Sequence, residues 1–241
     1  MAKIPDKPQD IFVELTEDYQ KVFGSDLVSL ILYGSAAGGH YVKGKSDINL
    51  LVVLTSAGMD KLADVLNTVQ IWKKSRVAVP LVMTKAFMES SLDCYPIEFL
   101  NMRNSHILIY GENVLEGLKF KPEDLRLQIE RELKGKLILL RNGYLEAGGS
   151  ARQLKQLISR SLTAFTSIFN ALLYLKKESA PHYRRDTIKE MAGLFAVDAE
   201  VFLSCADIKE GVDKLSGKEI EEVFKKYLRE VEKICDMVDA L

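Results

Sequence analysis

The sequence is short of the residues that usually staple or anchor a chain. Cysteine occurs three times, at Cys94, Cys205 and Cys235, with no metal-type spacing. An odd, scattered set excludes a disulfide scaffold and fits a reducing compartment. The three histidines, His40, His106 and His182, likewise have no partners at metal-ligand spacing. No apolar run reaches the roughly 18–20 residues that span a bilayer. The opening residues Met1 to Asp6 lack the apolar stretch of a secretory signal, so the expected location is cytoplasmic. Neither sign of charge dominates: Lys and Arg total 33, Asp and Glu 34, for a net charge of −1. That balance removes any overall electrostatic reason to expect a nucleic-acid or membrane partner. Walker loops, nucleophile elbows, dinucleotide fingerprints, internal repeats and low-complexity tracts are absent as well.

What is present reads as soluble and globular, with 47% hydrophobic and 28% charged residues over 241 positions. The first half alternates helical patterns with short apolar runs. Asp10 to Phe23 is amphipathic and stops at Gly24, a residue suited to a helix cap. Leu27 to Tyr33 and Ile48 to Leu54 are apolar runs bounded by turn residues, hence buried strands. Apolar residues between Met59 and Trp72 recur at helical spacing. Val77 to Met83 is a third strand, with Pro80 marking an edge or bulge. Ile97 to Met102 and His106 to Tyr110 then read as a hairpin around Arg103-Asn104-Ser105. From Pro122 onward only helical patterns remain. Pro122, Glu123 and Asp124 open the first, which ends at Gly148-Gly149, and Ser216 with Glu219 forms a capping box for the last. The expected organisation is an α/β (α+β) domain over residues 1–115, then an all-α helical bundle over 116–241.

The chemistry concentrates in Leu32-Tyr33-Gly34-Ser35-Ala36-Ala37-Gly38-Gly39 and Ser46-Asp47-Ile48-Asn49-Leu50. A strand ends at Gly34, where backbone can approach a ligand with no side chain in the way. Ser35 adds a hydroxyl, and such a turn can aim amides at phosphate oxygens. Strand alternation puts Asp47 and residue 49 on one face. Two acids there would make a hard-oxygen site for magnesium, which takes carboxylates together with substrate phosphates.

These two segments resemble the signature of the polymerase-β-like nucleotidyltransferase superfamily. In it, Gly-Ser on one strand is followed about a dozen residues later by Asp-x-Asp on the next, and a third acid comes from a later strand. The resemblance covers the first ~110 residues, and the helical half matches the plan of small bacterial members such as the aminoglycoside nucleotidyltransferases. It implies a mixed sheet, Mg2+ as cofactor, and a nucleoside triphosphate bound in a cleft between two domains. Nucleoside monophosphate would pass to a hydroxyl of a small molecule or protein. Gly34 and Ser35 would grip the terminal phosphates, with Lys45 and Ser46 beside them. Asp47 would hold both metals, and Glu98 would be the third ligand or the general base, with Asp93 as its competitor.

At position 49 the chain departs from the pattern, with Asn49 where the second aspartate belongs. At an effective dielectric of ~20, a unit charge 4 Å from another is worth about 4 kcal/mol, and roughly double against a divalent ion. The nucleotide-bearing ion can lean on phosphates; the hydroxyl-activating ion cannot. The resemblance therefore supports two readings. One is a transferase with Asn49 as a weakened ligand. The other is a nucleotide sensor or binding subunit, as a homodimer in one version, that kept the fold and lost the chemistry.

Overall fold

A computed structural model describes residues 4–177, 179, 181 and 183–240. The chain divides into two compact units. The first comprises Met1–Asp93 and Phe99–Phe120, the second Cys94–Glu98 and Lys121–Leu241.

The first unit is a four-stranded mixed sheet in the order β3-β2-β1-β4. Strands β1 (Leu27–Tyr33) and β2 (Asn49–Leu54) pair antiparallel, and β4 (His106–Gly111) pairs antiparallel with the other edge of β1. Strand β3 (Leu81–Thr84) runs parallel to β2 at the sheet edge. β1 and β2 read as near-continuous apolar runs because both sheet faces are covered. Leu30, Leu32, Leu50, Val52 and Leu54 meet Leu15, Tyr19 and Phe23 of helix α1 (Phe12–Phe23), together with Val65 and Trp72. On the opposite face Ile31, Leu51 and Val53 pack with Met88, Phe99, Met102 and Leu115. At roughly 1.5–3 kcal/mol for each large apolar side chain buried, these two layers fix the strand register.

The short helices of this unit are α2 (Ser56–Met59), α3 (Leu66–Lys73) and α4 (Lys85–Ser90). Of the stretch between Met59 and Trp72 where helical spacing was expected, residues 60–65 are turns and the helix begins at Leu66. The strand expected over Val77 to Met83 is also divided: Val77 makes an isolated parallel bridge to Ile48, and β3 begins only after Pro80. Proline has no amide to donate to a ladder, which places the break where it lies.

One element differs outright from the sequence reading. Ile97 to Met102 is not a strand; it lies in helix α5 (Pro96–Asn104), and no hairpin forms. Ile97 and Phe99 suggested alternation, but the buried set Ile97, Leu100 and Phe99, Met102 is spaced by three, which is helical. Pro96 opens α5, a position that proline suits.

The second unit is built from α6 (Pro122–Ala147), α7 (Ala151–Lys177), α8 (Arg184–Leu194), α9 (Ala199–Glu210) and α10 (Gly217–Asp239), with no strand among the described residues. Gly148 caps α6 in the left-handed conformation, and Ser216 and Glu219 make the expected reciprocal capping box on α10. The interior is aromatic. Phe169 and Phe202 meet edge to face at 5.2 Å, and Tyr227 stands edge to face with Phe202 at 5.7 Å and with Phe165 at 5.9 Å.

Candidate functional site

The candidate site grows out of the end of β1. Tyr33 is the last strand residue and faces Asn49 across the ladder. Gly34 then takes φ +78°, a left-handed conformation that a Cβ disfavours. This reverses the chain into a 3-10 turn over Gly34–Ala36. The turn is tied down by backbone. Gly34 N–H donates to Ser105 O at 3.1 Å, and Gly34 O accepts from the amides of Ala37 and Gly38, both at 3.0 Å. Ser105 Oγ donates to the same carbonyl at 3.2 Å. A Cβ on Gly38 would lie 2.9 Å from that hydroxyl, so a larger residue there would have to displace the Ser105 side chain. Ser35 itself is exposed.

The second segment closes as a loop before β2. Ser46 Oγ accepts from Val42 N–H at 2.9 Å, and Lys45 and Ser46 amides donate to Val42 O. Lys45 is exposed, while Lys43 is drawn off into an ion pair with Asp6, which raises its ammonium pKa. Asn49 enters β2 with its amide against Gly34: Nδ2 lies 3.4 Å from the position a Gly34 Cβ would take. Gly34 and Asn49 are thus neighbours, while Asp47 lies before the strand, which begins at Asn49.

Asp47 is where the structure adds a residue the sequence reading missed. After α3 the chain bends at Arg76, which adopts φ +63° although it is not glycine. Arg76 O accepts from Ile48 N–H at 2.9 Å, and the following residues run beside the start of β2. This carries the Arg76 guanidinium onto the motif loop. Nη2 donates to Asp47 Oδ1 at 2.8 Å and to Lys45 O at 3.0 Å, and Nε donates to Ser46 O at 3.3 Å. Asp47 is 62% exposed and Arg76 35%, so the ion pair alone adds only about 0.2–1 kcal/mol. The two carbonyl contacts make it a fixed clamp rather than a passing contact. A side chain 29 positions away, in a backbone conformation arginine rarely adopts, leaves no trace in sequence pattern.

Glu98 is placed differently from the expectation. It sits in the first turn of helix α5, not on a strand, and groups with the second unit. There the buried Gln128 accepts from Ile97 N–H at 2.8 Å and donates to Glu98 Oε2 at 2.7 Å. Gln128 thereby ties an amide of the first helical turn to the Glu98 carboxylate. Strands β3 and β4 carry no acid at all.

These placements bear on a bound magnesium pair. Asp47 pairs with a guanidinium, Asn49 brings no charge, and Glu98 accepts from Gln128. Among the described residues no three His, Cys, Asp or Glu side chains are grouped to hold a metal ion. As arranged, the donor set does not fit a two-metal centre.

Other sequence candidates are absorbed structurally. Arg185 opens α8 by pairing with Asp207 and Glu210, and Arg184 pairs with Glu210 at 3.7 Å. His106 is held by Arg103 O and Asn113 Oδ1 at 2.9 and 3.0 Å. His182 lies outside the described residues. No helix among the described residues is long and apolar enough to cross a membrane.

The mixed sheet and the helical region that follows it make up a nucleotidyltransferase-type fold. No family model matches the chain, and no curated protein matches it by sequence. Among solved structures it is similar to the spectinomycin adenyltransferase AAD(9) from Enterococcus faecialis, solved with ATP and spectinomycin. The TM-score is 0.50 at 12% identity, covering 91% of this chain and 99% of that one. At that identity the likeness establishes the fold.

Proposed function

We propose that the protein binds a nucleoside triphosphate, ATP or GTP, at the Gly34-Ser35 turn, and that Arg76 supplies there the positive charge a metal ion would bring. Nucleoside monophosphate transfer is lost. The observation that carries this reading is the Asp47–Arg76 pair beside an uncharged Asn49.

The chemistry follows from what a guanidinium can and cannot do. It is permanently charged and presents a fork of donors that matches phosphate oxygens. Arg76 spends Nε and Nη2 on the loop, and Nη1 remains for a further acceptor. Exposed Lys45 adds a second cation on the same loop. A guanidinium cannot, however, lower the pKa of an acceptor hydroxyl as a coordinated divalent ion does. Binding is thus retained while the nucleophile goes unactivated.

The test is label transfer from α-labelled ATP and GTP to a broad set of hydroxyl acceptors: aminoglycosides, simple alcohols and the protein's own side chains. Wild-type protein should transfer nothing above background with Mg2+. The paired substitution Asn49→Asp with Arg76→Ala restores a second carboxylate and frees the first. It should strengthen Mg2+-dependent nucleotide binding by about tenfold or more, given the size of one restored charge against a divalent ion. Transfer by the wild-type protein would overturn the proposal.

A further inference from the structure

The outer face of α6 is apolar where those of the other two long helices are polar. Leu127, Ile138, Leu139 and Leu145 are between 56% and 76% exposed, whereas α7 and α10 show no exposed large hydrophobic side chain among the described residues. The core side of α6 is complete without them, since Leu125, Ile129, Leu133, Leu137 and Leu140 are buried. With 3.6 residues per turn, Leu127, Ile138 and Leu145 recur close to whole numbers of turns, so they share one stripe with Leu139 at its edge. A contiguous apolar row on the outside of a helix marks a contact surface. We infer that this face joins two copies of the chain, packed as antiparallel α6 helices about a two-fold axis that passes between Ile138 and Leu139.

The charges on the helix select a second copy as the occupant. Among the described residues, every charged side chain from Arg126 to Arg141 except Arg131 has an ion-pair partner. Arg126 and Lys134 pair with Glu130, Lys136 with Glu132, and Arg141 with Glu232 of α10. Arg131 and Glu146 are exposed and enter no ion pair among the described residues. These two are opposite in sign and lie along the apolar stripe at equal distances from its middle. Arg131 stands about two turns before Ile138, and Glu146 about two turns after Leu139.

A two-fold interface must be complementary to itself, and an antiparallel pair makes this stripe so. Ile138 then faces the partner's Leu139, and Arg131 faces the partner's Glu146, each contact occurring twice. Gly135 and Asn142 lie about one turn from the centre on either side, so they also face each other across the axis. A Cβ at Gly135 would meet no atom within 4 Å, which leaves an open groove for the partner's Asn142. A parallel pair would instead set Arg131 against Arg131 and Glu146 against Glu146. An anionic lipid surface would meet the Glu146 carboxylate and gives no reason for the matched spacing. One helix face from each copy is a small interface, so association in the micromolar range is expected.

The test is sedimentation of the full-length protein over a concentration series. Wild-type protein should pass from monomer to dimer as its concentration rises through the micromolar range. Ile138→Glu and Leu139→Glu bury like charges at the axis and should each weaken the dimer by about tenfold or more. Both residues are exposed, so circular dichroism and urea unfolding should match the parent. Arg131→Glu and Glu146→Arg should each weaken the dimer severalfold, and more so at low salt. The double variant Arg131→Glu with Glu146→Arg should recover most of the loss, because the antiparallel register pairs the two reversed charges again. A protein monomeric at every concentration, whether or not it sediments with phosphatidylserine vesicles, would overturn the assignment. So would a dimer indifferent to Ile138→Glu, or a double variant no better than either single one.

Discussion

The interior of the helical unit and the motif loop of the sheet unit are held by opposite means. Phe165, Phe169, Phe202 and Tyr227 are wholly buried and locked edge to face, so each contributes through area and shape. The loop from Gly34 to Asn49 gives the core only Ala36 and Ile48, with Ala37 and Tyr41 packed beside them. It is held by backbone hydrogen bonds, three left-handed glycines (Gly34, Gly39 and Gly44) and one guanidinium clamp. Packing energy is large and insensitive to ligands. Polar closure is small, but on the proposed reading its charges are the ones a phosphate would meet. The same size of side-chain truncation should therefore affect stability in one region and ligand response in the other.

The largest effect is expected in the bundle. Phe202→Ala should destabilise the protein by about 3–5 kcal/mol, read by urea unfolding, because it leaves a cavity among aromatic rings. A loss below about 1 kcal/mol would mean that this interior is not close-packed. Next comes Gly34→Ala. A Cβ there meets only ordinary contact with Asn49, but φ +78° costs an L-residue roughly 1–2 kcal/mol. The same unfolding measurement should show that cost, and an unchanged stability would mean that the turn has another conformation. Arg76→Ala should be the mildest, below about 1 kcal/mol, because its ion pair with Asp47 is exposed. If it rivals Phe202→Ala, the clamp is a structural keystone and the contrast between the two regions fails.

That contrast also explains what was legible in the sequence. Strand β1 was readable to the residue because an unbroken apolar run lies between Asp26 and Gly34, and a doubly covered strand has just that pattern. The bundle helices were readable from their ends, where Pro122, Gly148 and the Ser216–Glu219 box act locally. Segment 97–102 was misread because its period-two and period-three signals overlap within a few residues, and the misreading carried Glu98 onto a strand it does not occupy. The motif spacing singled out Gly34, Ser35, Asp47 and position 49 as one stretch. Arg76 could not be found that way, because its position depends on a positive φ and on a bridge between Val77 and Ile48 that no local pattern encodes.

The central claim is that Arg76 stands where the fold would otherwise use a metal ion. The direct measurement is the ATP dissociation constant of the wild-type protein by titration calorimetry, with Mg2+ and with chelator. Free ATP carries more negative charge than its Mg2+ complex, so a guanidinium site should bind it as tightly or more tightly without the metal. Arg76→Ala should abolish that metal-independent binding. If ATP binds only when Mg2+ is present, or if Arg76→Ala binds like the parent in chelator, the guanidinium does not act in the metal's place and the account is wrong.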